Sequence, residues 1–240
     1  MKQLALDFAR PALPTLDNFI AGRNRELLHN LKRLASREGG ERFLYVWGRP
    51  GSGRSHLLRG VAAELQQAGL ASAYVACAPG IRFAEGLGRM ECVALDDVDR
   101  LDGPGQIAAF DLYNTLRERN GALVAGGSAP PVQLTLREDL VTRLAWGLVY
   151  QVHALSDEEK ARALAEYAAG RGFRLHTEVS DYLLARASRD LTSLLATLDA
   201  LDRYSLETKR PVTVPLAREL LHVIERRDPR LGAQDAEARG

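Results

Sequence analysis

The chain has 240 residues, enough for one or two domains with a proper hydrophobic core. Its 32 basic residues against 31 acidic ones leave a net charge of +1, which argues against a broad nucleic-acid surface built on basic excess. No apolar stretch approaches the roughly 20 residues that span a bilayer, and the N-terminus lacks a secretory layout. Cys77 and Cys92 form no metal spacing, so two reduced thiols in a cytoplasmic protein are expected.

Residues 1–16, bent at Pro11 and Pro14 and without helical period, read as an extended arm. Leu27, Leu28, Leu31 and Leu34 then mark a helix between Asn24 and Ser36. Phe43-Leu44-Tyr45-Val46-Trp47 is short, apolar and rich in β-formers, as a buried parallel strand should be. Further strands are predicted at 73–76, 92–95, 122–126 and 149–152, with helices at 55–68 and 107–118. Strands alternating with helices predict an α/β domain with a parallel sheet covered on both sides, over residues 17–154.

Between the first strand and the next helix lies Gly48-Arg49-Pro50-Gly51-Ser52-Gly53-Arg54-Ser55. It follows the phosphate-binding pattern Gly-x4-Gly-Lys-Ser/Thr except that Arg54 stands at the lysine position. Strand, glycine-rich turn and helix is the context in which such a loop wraps phosphates with its N–H groups, helped by the helix N-terminus. Gly48, Gly51, Ser52, Gly53, Arg54, Ser55 and His56 are therefore the candidate nucleotide-binding run, for ADP or ATP. Arginine still neutralises phosphate but is a bulkier fork than lysine, so binding with little intrinsic hydrolysis is expected. Cys92-Val93-Ala94-Leu95-Asp96-Asp97 is an apolar run ending in two acids, as a Walker-B strand should be. Asp96, with Ser55, is the candidate Mg²⁺ ligand; Asp97 would orient or activate a water beside the nucleotide.

After residue 155 only helical periods recur, at 157–169, 177–187, 190–206 and 215–226. Ser156-Asp157-Glu158-Glu159 reads as a capping box opening the first of them. An all-helical lid over 155–227 and a polar, disordered tail over 228–240 complete the expected organisation.

A phosphate-loop domain followed by a small helical domain resembles the AAA+ ATPases. Several segments resemble the DnaA-related branch: Leu16 to Gly22 with Asn24, Trp47 to Leu58, Phe110-Asp111-Leu112-Tyr113-Asn114, Asp139 to Gly147, Leu155 to Glu158, and Ser188-Arg189-Asp190-Leu191. The likeness covers residues 3 to about 226. It implies that Asn18 and Phe19 wall the adenine pocket, and that Arg189 contacts phosphate from the lid. Arg143 falls at the arginine-finger position, reaching a nucleotide held by a neighbouring protein. Ser128 falls at the sensor-1 position, where the family often has Asp or Asn, and Gly127-Ser128-Ala129-Pro130-Pro131 departs from the usual pattern there.

Gln3-Leu4-Ala5-Leu6-Asp7-Phe8 resembles the peptide that binds the bacterial sliding clamp, the DNA polymerase III β subunit. Leu4, Leu6 and Phe8 would be its apolar anchors and Gln3 its directional amide. The resemblance as a whole implies a negative regulator of replication initiation. Bound to the DNA-loaded clamp and holding ADP, it would stimulate hydrolysis of DnaA-bound ATP through Arg143, meeting DNA mainly through the clamp. An autonomous AAA+ ATPase and an adaptor for DnaA or helicase loading are the alternatives. A symmetric homodimer that hides Arg143 would be an off state; the sequence leaves the oligomeric state open.

Overall fold

A computed structural model describes residues 13–186 and 190–227, which form two compact units meeting in sequence at residues 154 and 155. The first contains α1 (Arg25–Ser36), β1 (Phe43–Trp47), α2 (Arg54–Gln67), β2 (Ser72–Ala76), β3 (Cys92–Asp96), α3 (Gly103–Glu118), β4 (Ala122–Gly127), α4 (Glu138–Ala145) and β5 (Leu148–Gln151). All five strands are parallel, in the order β2-β3-β4-β1-β5.

Alternation along β1 explains why that strand is apolar throughout. Leu44 and Val46 of β1 pack with Leu27, Leu31, Leu57, Leu58, Val61 and Leu65 from α1 and α2. Tyr45 between them points the other way, into a cluster with Leu112, Tyr113 and Leu116 of α3 and Leu140 and Leu144 of α4. A sheet covered on both faces needs apolar side chains at odd and even positions alike. Both cysteines lie in these layers, and burial pushes each thiol up to about 12.

Two features differ from the sequence expectation. The third helix starts at Gly103 rather than 107: Asp102 accepts the Gly105 N–H (3.0 Å) as an N-cap, and Pro104 occupies the first turn. Gly-Pro-Gly reads as a turn in sequence, yet a capped first turn tolerates those residues because its N–H groups have no helical partners. The helix α4 has no counterpart among the expected elements. It is two turns long and its N-cap, Arg137, makes no side-chain cap, so only the acids Glu138 and Asp139 mark its start.

The second unit holds α5 (Asp157–Gly170), α6 (Thr177–Arg186), α7 (Leu191–Thr208) and α8 (Val214–Arg227). The expected capping box is present: Glu159 N–H donates to Ser156 Oγ (3.2 Å) and Ser156 N–H to Glu159 Oε2 (2.8 Å). Leu164, Leu183, Leu194, Leu198, Leu201, Leu216 and Leu220 form its core. At its surface, Tyr204 Oη (2.5 Å) and Arg210 Nη1 (2.8 Å) both donate to the Glu219 carboxylate. The Tyr204 hydrogen bond, then the Arg210 one, hold that carboxyl below its ordinary value of 4.5. A depressed folded-state pKa stabilises the unit above the unfolded value, and that contribution is lost as pH falls through the folded one. Thermal melts of the wild-type chain should therefore fall more steeply below pH 4.5 than those of Glu219→Gln.

Candidate nucleotide-binding site

The glycine-rich loop leaves the C-terminal end of β1, an interior strand with β4 on one side and the edge strand β5 on the other. Open parallel sheets place ligands in the crevice outside such strand ends. The first bond of α2 runs from Leu57 N–H to the Gly53 carbonyl (3.0 Å), and no side chain caps the helix. The N–H groups of Arg54, Ser55 and His56 thus point out of the helix end, as an anion cradle requires.

Two glycines hold the cradle open. Gly53 has φ +99°, and a Cβ there would lie 2.8 Å from Phe19 Cε2. A Cβ on Gly48 would lie 2.6 Å from the Val152 carbonyl and 2.8 Å from Ser52 Oγ. The Ser52 hydroxyl itself is buried, at 6% residue exposure, without a hydrogen-bond partner among the described residues. Such an orphan calls for a ligand or water.

Arg54 does not extend as a free cation. Its Nη1 donates to the carbonyls of Gly48 (3.0 Å) and Gly127, at the tips of β1 and β4, and its Nη2 to Asp97 Oδ1 (2.7 Å). Asp97 follows β3 with a left-handed backbone, φ +53°. Burial and then Asp96 push its carboxyl up against the opposing pull of Arg54. Asp96 is 2% exposed and accepts from Tyr74 Oη at Oδ2 (2.7 Å) and from the Asp97 N–H at Oδ1 (3.1 Å). Burial and the same hydrogen bond hold the Tyr74 phenol above its usual range, so it remains a donor. Asp99, beyond the tip, accepts from Ser128 Oγ (2.7 Å) and Ser128 N–H (3.3 Å).

On the other side of the loop, His56 Nε2–H donates to the Thr15 carbonyl (3.0 Å), and its ring lies 5.6 Å from that of Phe19. Asn18 is occupied in folding this segment: its Oδ1 accepts from Thr15 N–H (2.9 Å), and its Nδ2 donates to the Leu13 carbonyl (2.9 Å). Asn24 is buried and binds the His153 backbone both ways, at 2.8 and 2.7 Å.

Arg143 sits apart on α4. Its Nε donates to Asn114 Oδ1 (3.1 Å), and its guanidinium lies 4.2 Å from the ring centre of Trp146 and 5.5 Å from that of Phe110. Trp146, 55% exposed, carries Arg117 over its ring as well, at 4.8 Å. No hydrogen bond among the described residues uses the two Nη groups of Arg143.

Residues 157–221 match the family model of the Hda lid domain. The fold is shared with domain III of the Thermotoga maritima replication initiation protein DnaA, at TM-score 0.70 and 21% identity, over 87% of this chain and 95% of that one. The chain joins a lid that matches the Hda family model to a fold shared with DnaA. AMPPCP-bound DnaA from Aquifex aeolicus has the same AAA+ fold, at TM-score 0.64 and 23% identity, over 85% of this chain and 71% of that one. A DNA replication initiation factor matches at TM-score 0.64 and 21% identity over 81% of this chain, which spans only 65% of that protein's length.

Within this AAA+ frame the structure brings together Gly48 to His56, Asp96, Asp97 and, through Phe19 and His56, the segment that carries Asn18. Arg143 makes its contacts with α3 and Trp146 instead. Gln3, Leu4, Leu6, Phe8 and Arg189, like the tail after residue 227, lie outside the described residues. Tyr74 was not a sequence candidate. It reaches the site through its register opposite Ala94, two residues before Asp96 on the neighbouring strand, which no local sequence pattern signals.

The cradle suits a phosphate chain: open N–H groups, no space for side chains at Gly48 and Gly53, and the orphaned Ser52 hydroxyl. It suits Mg²⁺ poorly. A bound Mg²⁺ usually keeps several waters, whereas both oxygens of Asp96 accept bonds from the chain in a buried position. Among the described residues no three His, Cys, Asp or Glu side chains cluster as a metal site, and no helix is long and apolar enough to cross a membrane.

Proposed function

We propose that this chain is a nucleotide-holding negative regulator of replication initiation, acting on the nucleotide of a DnaA-type partner more than on its own. The observation that carries this reading is the Hda-type lid, matched over residues 157–221, on an AAA+ fold shared with DnaA. The loop Gly48–Ser55 holds ADP, and the AMPPCP carried by a DnaA of the same fold supports a nucleotide there. Arg143 is the finger that completes the partner's hydrolytic site, where a guanidinium stabilises charge on the transferring phosphoryl group. Its unused Nη groups and fixed Nε are consistent with that role.

Arg189 reads the same nucleotide from the lid, and Asn18 and Phe19 line its base. Arg54, committed to Gly48, Gly127 and Asp97, is poorly placed to follow charge between the β- and γ-phosphates. Pure chain should accordingly show little hydrolysis of its own ATP in a single-turnover assay; brisk turnover would favour an autonomous ATPase.

Gln3, Leu4, Leu6 and Phe8 tether the chain to the clamp on DNA. The experiment that tests the whole reading measures hydrolysis of DnaA-bound ATP with DNA-loaded clamp. Wild-type chain should stimulate it, and chain lacking residues 1–8 should lose about tenfold, as expected when a cluster of apolar anchors is removed. Undiminished stimulation by the shortened chain would rule out the tether.

A further inference from the structure

We propose that the loop site takes a nucleoside diphosphate without a divalent cation, because Tyr74, Arg54 and Ser128 already satisfy the three acids beside it. The proposal rests on the nucleotide reading above and names what that site does not need.

The acids Asp96, Asp97 and Asp99 gather at the end of β3, beside a loop shaped for an anion. Left bare, they would repel phosphate, and a bound cation is the usual remedy. Here each has a donor from the chain. Tyr74 pairs in register with Ala94, so its side chain shares a face with Ala94 and with Asp96 two residues further on. The small Ala94 lets the phenol lie along the strand to Asp96 Oδ2 at 2.7 Å, while Arg59 covers its ring at 4.8 Å. Arg54 takes Asp97 at 2.7 Å. Ser128 gives both its hydroxyl and its N–H to Asp99.

Mg²⁺ held by a carboxylate brings its water shell, and Asp96, at 2% exposure, offers that shell no access. A cation bridging β- and γ-oxygens is the requirement of a reacting triphosphate, and a diphosphate held for its shape has no such need. Tyr74 thus acts as a positioning residue, through Asp96.

Calorimetric titration of the full chain with ADP, in excess Mg²⁺ and in EDTA, tests the proposal. The two Kd values should agree within about twofold. Tyr74→Phe, which removes one hydroxyl, and Arg54→Lys should each weaken binding in EDTA by about tenfold, with Mg²⁺ restoring it. Thermal melts check that each variant folds, and either one suffices if the other does not. Wild-type binding that requires Mg²⁺ would overturn the proposal and leave the nucleotide reading intact. No ADP binding in either arm would overturn both. Folded variants indifferent to Mg²⁺ would remove Tyr74 and Arg54 from the explanation.

Discussion

Arg143→Ala should lower stimulation of DnaA-bound ATP hydrolysis by about a thousandfold or more, the range in which arginine fingers act. The expectation follows from the way the side chain is held. Asn114 fixes Nε, and the rings of Trp146 and Phe110 hold the guanidinium plane, so the Nη groups are presented in one orientation. Removing it also removes cation–π contacts worth about 0.5–1 kcal/mol each at exposed sites, so the melting temperature must be followed in parallel. Arg143→Lys keeps the charge and loses the planar fork, and should recover only a small part of the activity. A folded Arg143→Ala chain that stimulates at the wild-type rate would assign the finger to another residue.

Gly53→Ala is expected to weaken ADP binding by about 30- to 150-fold, equivalent to 2–3 kcal/mol. At φ +99° an added Cβ costs about 1–2 kcal/mol, and this one would also stand 2.8 Å from Phe19. The loop can relieve both by leaving the cradle conformation, and bound phosphate must then restore it. Phe19 moves with it, so the base wall suffers together with the phosphate contacts. Equilibrium titration reads the effect directly, and unchanged affinity would show that the loop binds in another geometry.

The parallel sheet was legible because Phe43–Trp47 and Cys92 to Leu95 are continuous apolar runs, and only a sheet covered on both faces has a use for such strands. The lid helices were legible from their periods and from the capping box at Ser156. The helix α4 was not, since its eight residues begin without a side-chain cap and carry too few turns for a period to stand out. At the site, the sequence identified Arg54 as an exchanged cation and said how it differs from lysine. It could not reveal that the carbonyls of Gly48 and Gly127 converge on that guanidinium with Asp97. That convergence depends on β1 lying beside β4, a neighbour relation that local pattern does not encode. Tyr74 was hidden for the same reason: its partner Asp96 lies 22 positions along the chain and one strand away.

With the thiols of Cys77 and Cys92 pushed up to about 12 and both side chains in the sheet layers, almost no thiolate exists at neutral pH to meet peroxide or an alkylating reagent. The protein should pass through oxidative stress with its two thiols unchanged. A single cysteine introduced at an exposed position would then take a fluorophore selectively, against a silent background.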